Sequence, residues 1–130
     1  MKTNRILLVE DDPVDAELAT RRLGRMPIPV EVVVAKDGVE ALHLLYGGNG
    51  KLPDLVLLDL HLPKLNGLAV LRRIRAEEAT KRLPVVMLTS SSEEKDKVEA
   101  YAGGATKYIT KGYDAKAFAN AVAEAVQMLD

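Results

Sequence analysis

The sequence predicts an α/β fold: a parallel sheet covered on both faces by helices. Three observations carry that expectation. Short apolar runs of strand length alternate with stretches whose apolar residues recur at helical spacing. Five of each can be read along the chain, and 130 residues suffice for one substantial core but not two. Continuous apolar runs suit strands buried on both faces, and right-handed crossover helices pack back onto such a sheet.

Ile6 to Val9 form the first run and lead into Glu10-Asp11-Asp12-Pro13. Asp12 suits a helix N-cap, Pro13 the first helical position, and Asp15 a first turn, where negative charge meets the helix dipole. Ala16, Ala19 and Leu23 follow at helical spacing as far as Gly24. After Pro27 and Pro29, the β-branched Val30, Val32, Val33 and Val34 make a second strand. Asp37-Gly38 opens a helix with Ala41, Leu42 and Leu45 on one side, ended by Gly47, Gly48 and Gly50.

Leu55 to Leu58 make the third strand and stop abruptly at Asp59. Pro63 and Gly67 supply loop chemistry before a helix expected to turn Leu68, Leu71 and Ile74 inward and Arg72, Arg73 and Arg75 outward. The fourth strand runs from Pro84 or Val85 to Leu88 and ends in Thr89-Ser90-Ser91-Ser92. In the next helix Val98, Tyr101, Ala102 and Ala105 are expected to face inward, with Gly103 and Gly104 weakening its end. Thr106 to Ile109 make the fifth strand, which reaches Thr110-Lys111-Gly112. The last helix, from Tyr113 or Asp114, carries Phe118, Val122, Val126 and Leu129.

Composition narrows the function. A hydrophobic fraction of 48% and a charged fraction of 28% describe a soluble globular domain. The net charge of −1, one phenylalanine and no tryptophan argue against nucleic acid, and the arginine cluster reads as the solvated face of a helix. Neither a signal peptide nor a spanning helix is visible, so no membrane is expected. With no cysteine, disulfides and thiol chemistry are excluded, and the cytoplasm is the expected compartment.

In a parallel sheet all strand ends open on one edge. Strand one delivers Glu10, Asp11 and Asp12, strand three Asp59, strand four Thr89 and Ser90, and strand five Lys111. Strand two delivers only Ala35-Lys36, which suggests the sheet edge and the flavodoxin-like order 2-1-3-4-5, with a ligand crevice between strands one and three. The clustered carboxylates exceed the single Lys111 charge and favour a hard divalent cation, Mg²⁺. Metal, hydroxyl and ammonium around one aspartate make phosphoryl-transfer machinery, with the carboxylate as nucleophile. Taken singly, each residue has a plainer role: Asp12 a cap, Thr89 and the serines a helix start, Lys111 a surface charge. Their convergence on one edge is what favours chemistry.

The motifs Leu7-Leu8-Val9-Glu10-Asp11-Asp12-Pro13, Leu57-Leu58-Asp59-Leu60-His61-Leu62-Pro63 with Asn66-Gly67, Val86-Met87-Leu88-Thr89-Ser90 and Gly104-Ala105-Thr106-Lys107-Tyr108-Ile109-Thr110-Lys111 resemble those of response-regulator receiver domains of two-component signalling. The likeness runs end to end, implying a single (βα)5 receiver domain over residues 1–130 with no output domain. It implies that Asp59 accepts phosphate from the phosphohistidine of a sensor histidine kinase, and that the protein catalyses only its own phosphorylation and dephosphorylation. Asp11 and Asp59 would bind Mg²⁺ with the backbone carbonyl of His61, and Glu10 would help through water. Thr89 and Lys111 would contact phosphoryl oxygens, and Thr89 with Tyr108 would form the switch pair, Tyr108 passing from exposed to buried. His61 and Ser91 occupy positions that in the family tune phosphate lifetime. The wording around Asp59 and the absent output segment also resemble regulators paired with phytochrome-type kinases.

Three departures from the family pattern stand out. The acidic pair is Glu10-Asp11 where many relatives have two aspartates, and Ser90 stands where alanine or glycine is frequent. Lys111-Gly112 replaces a typical Lys-Pro with a cis peptide; without proline a cis bond costs about 3 kcal/mol, so this bond is either trans or held by its surroundings. Two other readings stand beside the receiver. Haloacid-dehalogenase-type phosphatases share the aspartate, hydroxyl, lysine and Mg²⁺, but need a second acid where this chain has His61. A constitutive interaction module would have no use for the complete set of Asp11, Asp59, Thr89 and Lys111. Tyr113, Ala117, Ala121 and Met128 add apolar surface to the last helix, which suits a homodimer through helices four and five and strand five.

Overall fold

Strand residues alternate between faces, so one sheet sorts its side chains into two cores. The computed structural model describes residues 3–48, 51–111 and 114–127. Within them the chain runs β1 (Asn4–Val9), α1 (Pro13–Gly24), β2 (Val30–Ala35), α2 (Gly38–Tyr46), β3 (Leu55–Leu58), α3 (Gly67–Ala76), β4 (Val85–Thr89), α4 (Glu94–Ala102), β5 (Lys107–Thr110) and α5 (Ala115–Val126). The described strands form one parallel sheet in the order β2-β1-β3-β4-β5, with β2 at the edge as expected.

Leu7, Val9, Val56, Leu58, Val85 and Met87 point to one face and bury Ala41 and Leu45 of α2, Val70, Leu71 and Ile74 of α3, and Ala100 of α4. Ile6, Leu8, Leu55, Leu57, Val86 and Leu88 point to the other and meet Ala19 and Leu23 of α1 and Phe118, Val122 and Val126 of α5. The sheet is therefore a filled layer between two helical layers. Register then places the site. Val9 pairs with both Ala35 and Leu58, Leu58 with Met87, and Thr89 with Thr110. Hydrogen bonding continues one step past the strands: Asp59 donates its N–H to the Val9 carbonyl at 3.1 Å, and Lys111 donates to that of Thr89 at 2.7 Å.

Helices start on this same edge, capped as their sequences suggest. Asp12 Oδ1 accepts from the Val14 N–H at 2.8 Å, Asp37 Oδ1 from Glu40 at 2.7 Å, Asn66 Oδ1 from Ala69 at 3.0 Å, and Asp114 Oδ1 from Ala117 at 2.8 Å. The α4 cap, Glu93, makes no such side-chain bond. Of the residues after Thr89, Ser91 comes nearest to that role, its Oγ accepting the Glu93 N–H at 3.3 Å just ahead of the helix.

The structure corrects two facings. Val98 and Tyr101 are 57% and 44% exposed and Ala102 is exposed, whereas Ala100 is fully buried. The helix ends at Ala102, so Ala105, which does pack on the core, lies beyond it and does not report its phase. Arg75 does not face outward like Arg72 and Arg73. It is half-buried and donates to the carbonyls of Gly104 at 2.8 Å, Leu83 at 2.7 Å and Lys81 at 3.2 Å, tying α3 to the two loops beside it. Gly104, at φ 104°, passes so close that a Cβ there would lie 2.8 Å from Arg75 Cγ. Gly50, the Lys111-Gly112 peptide, Tyr113, Met128 and Leu129 lie outside the described residues.

Candidate functional site

Two acids from adjacent strand ends and a third from the first turn of α1 meet one lysine. Lys111 Nζ donates to Glu10 Oε1 at 2.5 Å, Asp15 Oδ2 at 3.1 Å and Asp59 Oδ2 at 3.2 Å, and its side chain is only 8% exposed. Its ammonium also lies 5.6 Å from the centre of the Phe118 ring. Glu10 and Asp59 are buried, whereas Asp11 is exposed at the rim. The backbone holds the acids in place: the Asp12 N–H donates to Glu10 Oε2 at 3.2 Å, and the His61 N–H to Asp59 Oδ1 at 3.4 Å.

Burial pushes the Glu10 carboxyl up to about 7 against the pull of Lys111, and the Asp59 charge adds to the rise. Burial also works against the Lys111 ammonium. The Glu10 hydrogen bond and the charges of Asp59 and Glu10 outweigh it and hold the lysine above its ordinary value. The pocket thus carries more negative charge than its one cation neutralises. Carboxylate oxygens of Glu10, Asp11 and Asp59 lie within 4.8 Å of one another. This set of hard oxygen donors, open to solvent at Asp11, fits Mg²⁺ retaining part of its water shell.

Opposite the acids, Thr89 is fully buried at the end of β4, and its Oγ1 accepts from the Ser91 N–H at 3.4 Å. Ser90 is exposed beside Lys111 and Phe118, in a hollow also lined by Asp15, Leu18 and Asp114. Tyr108 lies inward, 9% exposed, and donates its hydroxyl to the Ser91 carbonyl at 2.8 Å. Burial lifts its phenol above the ordinary value, so it stays a donor. The His61 side chain is 69% exposed, and its Nε2 lies 3.9 Å from Asp96 Oδ2.

The structure therefore gathers Glu10, Asp11, Asp59 and Lys111 into one cluster, with Thr89, Ser91 and Tyr108 as a second group on the β4–β5 side. Two participants escaped the sequence reading. Asp15, read as a first-turn charge, is the third carboxylate on Lys111; its position one turn into a helix that starts at this edge was the available signal. Asp96 accepts from Ser91 Oγ at 2.5 Å and lies 3.9 Å from His61 Nε2. It has no sequence signature beyond lying in the first turn of α4.

A buried carboxylate, a clustered acid set, a buried hydroxyl and a lysine at the carboxyl edge of a 2-1-3-4-5 sheet are the parts that a phosphoryl-accepting site needs. Residues 6–123 match the response regulator receiver domain, and the chain belongs to that family. It is similar to the response regulator Rcp1 of Synechocystis sp., at 38% identity over 115 residues covering 85% of this chain and 78% of Rcp1. The Mn²⁺-bound form of Rcp1 superposes with a TM-score of 0.90 at 35% identity, covering 97% of this chain and 93% of that one. The phosphorylated cyanobacterial phytochrome response regulator RcpA matches with a TM-score of 0.93 at 36% identity, over 98% of this chain and 94% of that one. The DNA-binding transcriptional regulator RpaA of Synechocystis sp. is 37% identical over 110 residues, 85% of this chain, and the chain spans 44% of its length. The chain is thus a receiver-domain signalling protein of two-component systems. No helix among the described residues is long and apolar enough to cross a membrane.

Proposed function

We propose that this receiver takes a phosphoryl group from the phosphohistidine of a sensor histidine kinase onto Asp59. The observation that carries the reading is Asp59 itself: a buried carboxylate at a strand end, 3.2 Å from Lys111 Nζ and beside the acids of β1. An Asp59 oxygen attacks phosphorus, the phosphorus–nitrogen bond of the donor imidazole breaks, and an aspartyl phosphate forms. Asp11, Asp59 and the His61 carbonyl, with Glu10 assisting, would hold Mg²⁺, which would supply charge neutralisation at the phosphoryl oxygens. Lys111 shifts from Asp59 to a phosphoryl oxygen while keeping Glu10, and the Thr89 hydroxyl donates to another. The protein catalyses no turnover beyond its own phosphorylation and dephosphorylation.

The same Thr89 movement is the signal. Ser91 lies on the Thr89 loop and its carbonyl holds the Tyr108 hydroxyl. Drawing Thr89 toward phosphate tightens this latch and biases the packing of β4, β5, α4 and α5. A phytochrome-type kinase is the partner class we favour, because RcpA is named a phytochrome response regulator. The exposed Val98 and Tyr101 on α4 support a homodimer through α4, β5 and α5. Sedimentation of the phosphorylated protein should show a dimer; a monomer well above cellular concentration would dispose of that part. Action in the cytoplasm without contact to nucleic acid or membrane completes the reading.

Intact mass after incubation with Mg²⁺ and acetyl phosphate tests the core. Wild type should gain one phosphoryl group and Asp59→Asn none.

A further inference from the structure

One oxygen of Asp96 holds the Ser91 hydroxyl and also lies within ion-pair distance of the His61 ring. Asp96 Oδ2 accepts the Ser91 hydroxyl at 2.5 Å from the β4–α4 loop and lies 3.9 Å from His61 Nε2 of the β3–α3 loop. The Ser91 oxygen is engaged on its other side as well, accepting from the Glu93 N–H at 3.3 Å. A serine has one O–H to give, and this one is given to Asp96. His61 and Ser91, with Ser90, Ser92, Glu93 and Asp96, line one solvent-open hollow. The Asp96 side chain is only 18% exposed, so the contact is not a loose surface pair.

We infer that Asp96 is a positioning residue that lengthens the life of the phosphorylated state by withholding Ser91 and His61 from the attacking water. The inference rests on the proposed phosphorylation of Asp59. Dephosphorylation adds the oxygen of water to phosphorus and breaks the bond to the Asp59 carboxylate oxygen. Both hydrogens of the water leave with dihydrogen phosphate. A side chain that orients this water speeds the step. While the Ser91 hydroxyl and the His61 ring are turned to Asp96, neither performs that service. Removing Asp96 releases both, and Ser91 is then free to donate toward the water.

The test is the rate of phosphate loss from the acetyl-phosphate-labelled protein, followed by intact mass after donor removal. Asp96→Ala should lose phosphate about fivefold faster, the size of one net hydrogen bond, while reaching the same initial labelling as wild type. Asp96→Asn keeps an acceptor for Ser91 and should stay close to the wild-type rate. In a His61→Ala/Ser91→Ala background, Asp96→Ala should change nothing. An unchanged rate in Asp96→Ala, equal acceleration in Asp96→Asn, or acceleration that survives in the double background would overturn the inference. Failure of wild type to label at all would instead defeat the phosphorylation reading. Alanine is well tolerated in the first turn of a helix such as α4, so the variants should remain folded.

Discussion

The Tyr108 hydroxyl donates to the carbonyl of Ser91 at 2.8 Å, joining the aromatic ring of β5 to the loop that follows Thr89. The bond is mostly shielded from water, because Tyr108 is 9% exposed. Tyr108→Phe keeps the ring and removes the bond. It should cost about 1 kcal/mol and lower the melting temperature by about 4 °C, with labelling by acetyl phosphate unchanged. Tyr108→Ala should also leave labelling intact but weaken recognition of the phosphorylated form, and equal partner affinity with and without the ring would contradict the switch.

Glu10 makes the metal-free protein sensitive to pH. Its folded-state pKa is raised from 4.5 to about 7, so the native state holds a proton that the unfolded state has released. Stability from this group is complete below pH 4.5 and is lost as pH rises to about 7, by up to about 3 kcal/mol. Urea unfolding of wild type and Glu10→Gln between pH 5 and 8 should show a decline in wild type that the variant lacks. Mg²⁺ displaces the same proton, so its affinity should rise over this window. A flat difference between the two proteins would remove Glu10 as the cause.

Gly67 sets how closely α3 approaches the acceptor. A Cβ at this position would lie 2.2 Å from the Asp59 carbonyl oxygen and 2.9 Å from Leu60 Cα, both backbone atoms that cannot step aside. The Gly67 N–H also donates to the Leu60 carbonyl at 2.8 Å. Gly67→Ala should destabilise by about 2–3 kcal/mol and slow labelling of Asp59. Wild-type stability together with wild-type labelling would show that the loop has room to move.

The fold was legible because its signals are local. Leu55 to Leu58 and Val85 to Leu88 are apolar at every position, as central strands require, and the poverty of chemistry at Ala35-Lys36 correctly put β2 at the edge. The acid cluster was legible for a related reason, since residues that end parallel strands must share an edge. What could not be read depends on tertiary reach. Arg75 looks like its neighbours Arg72 and Arg73 until the loops supply carbonyls for it. On α4 the buried residue is the small Ala100, which carries almost no periodic signal, while the larger Val98 and Tyr101 remain outside. Asp15 and Asp96 are ordinary helix-start acids until Lys111 and Ser91 arrive beside them from distant strands.

The central claim is that one carboxylate among the several at this edge becomes phosphorylated. Borohydride reduction of the acetyl-phosphate-labelled protein, followed by peptide mass spectrometry, reads that residue directly, because an acyl phosphate is reduced to the alcohol and a free carboxylate is not. The account predicts reduction at residue 59 alone, dependent on Mg²⁺ and absent from Asp59→Asn. Reduction at Glu10, Asp11 or Asp15, or undiminished labelling of Asp59→Asn, would contradict it.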